Sequence, residues 1–289
     1  MIGARSGRVR GVAAAFGRWV RAEPGRALPA ATAILLVATQ IAYPLSAGTT
    51  RDRITIVVVG LSAATAVLHA GTTRGWRWAL GFLVVVSGLG LSAEIAGTAT
   101  GFPFGAYAYA VERLGPALAE VPLVVPLAWT GGLYPIWIVA TLVVAPSGAG
   151  PAGGRAGFAV RRACLFVVGA VGWDLFLDPQ MVADGQWTWR VTDAGLPGLA
   201  QIPYTNYLGW ALVATVMALL LTALDRAVPA AHDPSVAVPV AVFVWTWLGS
   251  TLAHAVFLGL PASAVWGFLG SAPLGIPLLL RARKLGAPS

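Results

Sequence analysis

Charge is scarce in this chain: Asp, Glu, Lys and Arg together make up 10% of its 289 residues, against about a quarter in soluble domains. With 57% hydrophobic residues and a mean hydropathy of +0.77, that scarcity excludes a water-soluble globule. Cysteine is nearly absent. Cys164, the single one, lies in an apolar run, which excludes an intrachain disulfide, a zinc cluster and thiolate-bound iron–sulfur groups. The three histidines, His69, His232 and His254, are expected on two different membrane faces and so cannot gather the clustered ligands of haem or di-iron centres. A phosphate-binding glycine loop followed by Lys, a GxSxG elbow and an HExxH motif are all missing, which removes the usual equipment of nucleotide, esterase and zinc-protease chemistry. No metal and no cofactor is expected.

Long apolar runs are what the chain has in abundance. A span takes about 20 residues, and suitable stretches lie near 28–47, 54–70, 76–97, 121–145, 158–178, 203–224, 236–259 and 262–280. The fold class expected is all-α, a polytopic transmembrane helical bundle of about eight spans. Gly, Pro and charge collect between them, notably at 146–157 and 229–234, as at helix ends. Residues 28–280 then form one transmembrane domain between a basic tail at 1–27 and another at 281–289. The net charge of +8 reads as topology rather than nucleic-acid binding. Placing both termini in the cytoplasm puts 15 of the 19 cations inside and leaves Arg51, Arg53, Arg113 and Arg190 outside, as the positive-inside rule requires. The expected location is a bacterial-type cytoplasmic membrane, with the first span an uncleaved helix rather than a signal peptide.

Two segments match each other. At a shift of 80 residues Glu94 meets Asp174, and Gly105-Ala106-Tyr107-Ala108-Tyr109 meets Gly185-Gln186-Trp187-Thr188-Trp189. At a shift of 81, Pro116 to Pro122 meets Pro197 to Pro203, and Trp129 meets Trp210. The shift covers two spans, so the units at about 76–145 and 158–224 would share one orientation, a parallel internal repeat of helix-loop-helix units. Both acids and both aromatic loops then face the extracytoplasmic side.

Ionisable groups inside spans cost about 2.5 to 3.5 kcal/mol at a helix centre, so each needs a reason. Glu94 and Asp174 are the clearest cases, and a carboxyl group withdrawn from water can hold a proton near neutral pH and act as a general acid. Asp178 lies four residues after Asp174 and shares its helix face until Pro179 ends the helix. A structural reading stands beside this one, in which the acids bind loop backbone or pair with Arg113 or Arg190, and Asp178 caps a turn. The loops Phe102-Pro103-Phe104-Gly105-Ala106-Tyr107-Ala108-Tyr109 and Trp187-Thr188-Trp189 turn their rings to one face if extended. Such rings attract cations and offer flat apolar surface, though interfacial belts of Trp and Tyr are common in membrane proteins. On the seventh span, among Trp245, Trp247, Ser250 and Thr251, His254 could relay protons or pack against Ser250. Tyr204, Asn206 and Tyr207 open the sixth span and could orient water or satisfy helix-end backbone.

These residues resemble one family, the membrane carotenoid hydratases, which include bisanhydrobacterioruberin hydratase and the enzymes that hydrate the 1,2 double bond of acyclic carotenoid ends. Glu94 to Gly97, Phe102-Pro103-Phe104-Gly105, Tyr107, Leu114-Gly115-Pro116, Val121-Pro122-Leu123 and Pro126-Leu127-Ala128-Trp129 look like its first signature. Trp173-Asp174-Leu175, Leu177-Asp178-Pro179, Gly185, Trp187 and Trp189 look like its second. The resemblance covers roughly residues 90 to 210. It implies a carotenoid substrate held within the bilayer, water as co-substrate, no redox cofactor, no nucleic acid, and other carotenoid biosynthesis enzymes as partners.

The chemistry of that substrate class then assigns expected roles. Asp174 or Glu94 protonates a terminal alkene, Asp178 orients the water, and Tyr107, Tyr109, Trp187 and Trp189 shield the cation. Phe102, Phe104, Asn206 and His254 complete the substrate-binding set. Two other readings are open at this point. Asp174 and Asp178 have the DxxxD spacing of a membrane prenyltransferase or carotenoid elongase that holds magnesium and a diphosphate; or the protein binds or transports carotenoid without catalysis.

Overall fold

The computed structural model describes residues 24–145, 154–229 and 235–286. Most of the basic N-terminal tail, the last three residues of the C-terminal tail, much of the two Gly- and Pro-rich linkers and His232 lie outside the described residues. In lipid a chain must satisfy its backbone polar groups internally, and the eight apolar stretches all become helix: α1 Pro24–Ala42, α2 Gly48–Arg74, α3 Trp76–Thr100, α4 Val124–Val144, α5 Gly154–Ala183, α6 Tyr204–Ala227, α7 Ala237–Phe257 and α8 Pro261–Gly286. Among the described residues, seven helices are long and apolar enough to cross a membrane. The remaining long helix, α5, runs for 30 residues and carries Arg161, Arg162, Asp174 and Asp178. Hydroxyl side chains in the apolar helices return their hydrogen to the carbonyl one turn back, as Thr39 does to Leu35, Thr65 to Leu61 and Ser92 to Gly88.

Pro179 does not end α5. The helix continues through it to Ala183, although a proline has no N–H for the carbonyl four residues earlier. That carbonyl belongs to Leu175, and it accepts a hydrogen bond from the Ser263 hydroxyl of α8 at 2.7 Å. The two helices can meet because glycine faces glycine. A Cβ on Gly172 would stand 2.6 Å from the carbonyl carbon of Gly270, so their backbones pack in direct contact.

The helices run alternately, and one end of the bundle is capped by three two-stranded ribbons. β1 Tyr107–Tyr109 pairs antiparallel with β4 Trp187–Trp189, β2 Ala117–Leu118 with β3 Val121–Pro122, and β5 Gly195–Leu196 with β6 Leu199–Pro203. Segments α3-β1-β2-β3-α4 and α5-β4-β5-β6-α6 therefore share one element order. In the central ribbon Tyr107 stands opposite Trp189, Ala108 opposite Thr188 and Tyr109 opposite Trp187. Exchanging each residue for its match at a shift of 80 reproduces the same pairs.

The opposite end is tied by charge. Arg74 and Arg162 both reach Asp225 at 2.6 Å, Trp78 donates its Nε1–H to the same carboxylate at 2.8 Å, and the two guanidinium groups lie 4.0 Å over the rings of Trp78 and Trp137. His69 is buried nearby, with Nδ1 against the Tyr134 hydroxyl at 2.7 Å and Nε2 against the Ser235 carbonyl at 2.8 Å. Both of its nitrogens serve the packing of this end.

Candidate functional site

The four alternating aromatics of β1 and β4 do turn to one face. Tyr107, Trp187 and Trp189 are buried and Tyr109 is half-buried, whereas Ala108 and Thr188 between them are exposed. Period-two alternation produces this wherever strands are extended. Ring neighbours cross the ribbon at 5.5 Å between Tyr107 and Trp189 and at 5.4 Å between Tyr109 and Trp187. Beneath this roof lies a cavity of about 220 Å³. All four rings line it, with Phe104, Trp129 and Trp210 on the flank and Glu94 and Asp178 among its polar groups.

Glu94 ends up fully engaged. Its Oε2 accepts hydrogen bonds from the hydroxyls of Tyr107 and Tyr109, the second at 2.8 Å, and its Oε1 accepts from Trp129 Nε1–H at 3.0 Å. Gly97, one turn along α3, makes this possible, since a Cβ there would come within 2.8 Å of the Tyr107 hydroxyl oxygen. Burial, reinforced by the adjacent Glu94 carboxylate, holds the Tyr107 and Tyr109 phenols far above the usual tyrosine range. They remain donors throughout the physiological range. Neither Arg113 nor Arg190 pairs with Glu94, Asp174 or Asp178: Arg113 is bound to Asp52 at 2.6 Å and to the Asp184 carbonyl.

On the facing side, one amide joins two acids. Asn206 Nδ2 donates to Asp174 Oδ2 at 2.9 Å and also to Asp178 Oδ2, and Trp187 Nε1–H donates to Asp178 Oδ1 at 3.2 Å. Asp178 and Asn206 are at the cavity wall; Asp174, with 0% exposure, is not. Its Oδ1 is buried without a hydrogen-bond partner. The two acids share a helix face as their spacing requires, but the helix phase presents Asp178 to the chamber and sets Asp174 in the packing between α5 and α6.

The rest of the expected set divides. Phe104 lines the cavity, within 6.5 Å of the rings of Tyr107, Trp129 and Trp210. Phe102 does not: it is 66% exposed and its ring stands outside, because the Phe102–Pro103 turn leaves only Phe104 facing inward. His254 lines the cavity, with Nδ1 on the Ser263 hydroxyl at 2.8 Å and Nε2 on Gln180 Oε1 at 3.1 Å. Its partner is not Ser250, because α7 passes through two wide π turns, Trp245–Gly249 and Ala253–Phe257, which change the angle between those positions. Tyr204 is exposed, and the buried Tyr207 hydroxyl has no partner.

Sequence reasoning left out Trp129, Trp210, Trp173 and Gln180 as site residues, and all four line the cavity. A signal existed for the first two, which match each other at a shift of 81. Trp173 stands beside Asp174 in the second signature, and Gln180 carries no signal beyond its nearness to the acids.

Comparison with known proteins adds the following. The model of a family described as carotenoid biosynthesis protein matches residues 54–273. A bisanhydrobacterioruberin hydratase from Haloarcula japonica is 30% identical over 147 residues, 50% of this chain and 45% of the relative. The chain thus spans about half the length of that curated relative. No solved structure matches it.

Proposed function

The chain belongs to the carotenoid biosynthesis protein family, and from that premise we propose that it hydrates the terminal double bond of an acyclic carotenoid to a tertiary alcohol. The observation that carries the reading is that two carboxyl groups, Glu94 and Asp178, face one cavity beneath a roof of four aromatic rings, in a chamber whose wall is mainly apolar.

In this reading Asp178 is the proton donor. Asp174 and Asp178 sit one helical turn apart on a shared amide, and two charges that close in an apolar site do not both form, so the pair keeps one proton. Transfer of that proton to the less substituted alkene carbon forms a C–H bond and leaves a tertiary carbocation on the other. Tyr107, Tyr109, Trp187 and Trp189 face the cation with their rings, each worth about 0.5 to 2 kcal/mol depending on desolvation. Water adds to the cation, and Glu94, whose oxygens accept hydrogen bonds from Tyr107, Tyr109 and Trp129, takes up the surplus proton. Transfer of a proton back to the Asp174–Asp178 pair closes the cycle. The sum is alkene plus water giving alcohol, with no electrons exchanged and no cofactor required.

Asn206 positions the acid pair, while Phe104 and His254 help shape the chamber. The magnesium-dependent prenyltransferase reading asks for two carboxylates presented together, and only Asp178 of that pair reaches the wall. We place the protein in a bacterial-type cytoplasmic membrane, working beside other carotenoid biosynthesis enzymes. Its termini are cytoplasmic and the aromatic roof lies on the far side, in keeping with the position of Arg74, Arg77, Arg161, Arg162 and Arg226 at the opposite end of the bundle.

The direct test is expression in a host that accumulates an acyclic carotenoid, with mass spectrometry of the pigments. A product heavier by one water per reacted end supports the hydratase. Unchanged pigment that co-purifies with the protein supports a carrier, and a lengthened carbon skeleton supports an elongase.

A further inference from the structure

We propose that the carotenoid is engaged end-on, its polyene tail leaving the cavity sideways between α1 and α7 past Gln40 and Trp245. The inference rests on the hydratase reading and adds where the bulk of the substrate lies. A cavity of about 220 Å³ is smaller than the roughly 300 to 1,000 Å³ of pockets that enclose a drug-sized ligand. A full-length carotenoid is larger than such a ligand. One end group fits inside, and the remainder lies beyond the wall.

Three walls are closed. The roof is held down by ion pairs, Arg113 to Asp52 and Arg51 to Asp184, each at 2.6 Å. The flank toward α4 and α6 is sealed by the Trp129–Trp210 stack, whose ring centroids are 3.8 Å apart. Toward the opposite end the cavity stops above the fully buried Trp137 and Phe166.

A further wall is made by Leu36, Gln40 and Tyr43 of α1 and by Trp245, Gly249 and Ala253 of α7. Here α1 and α7 are linked by the hydrogen bond from Trp245 Nε1–H to Gln40 Oε1, at 2.8 Å. Gln40, Trp245 and Gly249 are each half-exposed, and Ile41, Leu248 and Leu252 beside them are exposed. An apolar strip therefore continues from the chamber onto the outer surface of the bundle. The first π turn of α7 carries Trp245 to this threshold, with its indole ring against Gly249, where a Cβ would come within 3.3 Å of it. A flat ring at that position suits a conjugated chain.

Two measurements test the route. The unaltered protein in liposomes is given an acyclic carotenoid and a counterpart whose far end carries a bulky ring. End-on engagement predicts rates at the acyclic end within about twofold of each other, because the far end never enters; a loss of about tenfold or more for the capped substrate overturns the proposal. Trp245→Ala is then assayed with the carotenoid and with a short acyclic terpene alkene that fits wholly inside the cavity. The expected result is a rise in KM of about fivefold or more for the carotenoid, with kcat kept and KM for the short alkene little changed. Equal changes for both substrates, or none for either, overturn the route. Failure of the unaltered protein to hydrate any of the three substrates is a different outcome, and it overturns the hydratase reading.

Discussion

Trp129 and Trp210 stack face to face, with ring centroids 3.8 Å apart and planes within 11°. They occupy matching positions of the two segments, one on α4 and one on α6. Their stack lies on the cavity flank between the two acid clusters. Trp129 donates to Glu94, and Trp210 meets Trp173, the residue before Asp174, edge-on at 5.7 Å. Together with the pairing of β1 and β4, the stack draws residues of both segments to one chamber.

Replacing Trp210 with Ala removes half of that stack and opens a void at the flank. A loss of about 3 to 5 kcal/mol is expected for truncating a buried Trp. Thermal unfolding in detergent, followed by near-ultraviolet circular dichroism, reads it out. Tm unchanged from the parent would show that the stack contributes little to holding the units together.

Asp178 and Asp174 are expected to differ. Asp178→Asn removes the acid at the cavity wall and should lower hydration by about 10² to 10⁴-fold, the usual worth of general acid catalysis, with pigment binding retained. Asp174→Asn keeps an acid facing the chamber and should lose less. Product yield from membranes of matched protein content checks both; equal activity of Asp178→Asn and the parent removes that residue from the proton path.

Glu94→Gln preserves shape but replaces an acceptor pair with one carbonyl and one NH₂ group. Three donors, from Tyr107, Tyr109 and Trp129, then compete for too few acceptor sites. The expected cost is about 1 to 3 kcal/mol, as for a buried polar group left without its partner, along with loss of turnover. Urea titration of the detergent-solubilised protein measures the first, and pigment analysis the second.

Gly172→Val tests how the acid helix is seated. Its side chain would collide with the Gly270 backbone, forcing α5 away from α8. Overpacking of this kind costs about 1 to 3 kcal/mol, and the shift would carry Asp178 out of register with Trp187 and Asn206. Activity should fall further than stability alone accounts for, with the folded fraction measured by size-exclusion chromatography.

Spans and roof were legible for separate physical reasons. Apolar runs between Gly- and Pro-rich linkers have to be helical in lipid, and alternating Tyr107, Tyr109, Trp187 and Trp189 have to share a face once extended. The positions of the acids along the bundle followed from where their spans end. Their rotation did not: spacing places Asp174 and Asp178 on one face but gives no sign of which meets the cavity. Pro179 was misleading because the group that rescues the Leu175 carbonyl, Ser263, is far away in sequence. Phe102 and Phe104 are equivalent in a pattern of alternating residues and separate only where the turn at Pro103 tips one ring outward. Gln40 is the one amide side chain in the apolar run 28–47, with nothing local to connect it to Trp245.

The most direct test of the central claim, that the chamber adds water to an alkene by protonation, is isotopic. The reaction is run in water labelled with heavy oxygen and, separately, in deuterium oxide, and the purified pigment is examined by mass spectrometry and NMR. The account predicts solvent oxygen in the tertiary alcohol and one deuterium on the neighbouring carbon, with both labels lost together in Asp178→Asn. An alcohol whose oxygen comes from dioxygen, or one formed without deuterium on that carbon, would contradict it.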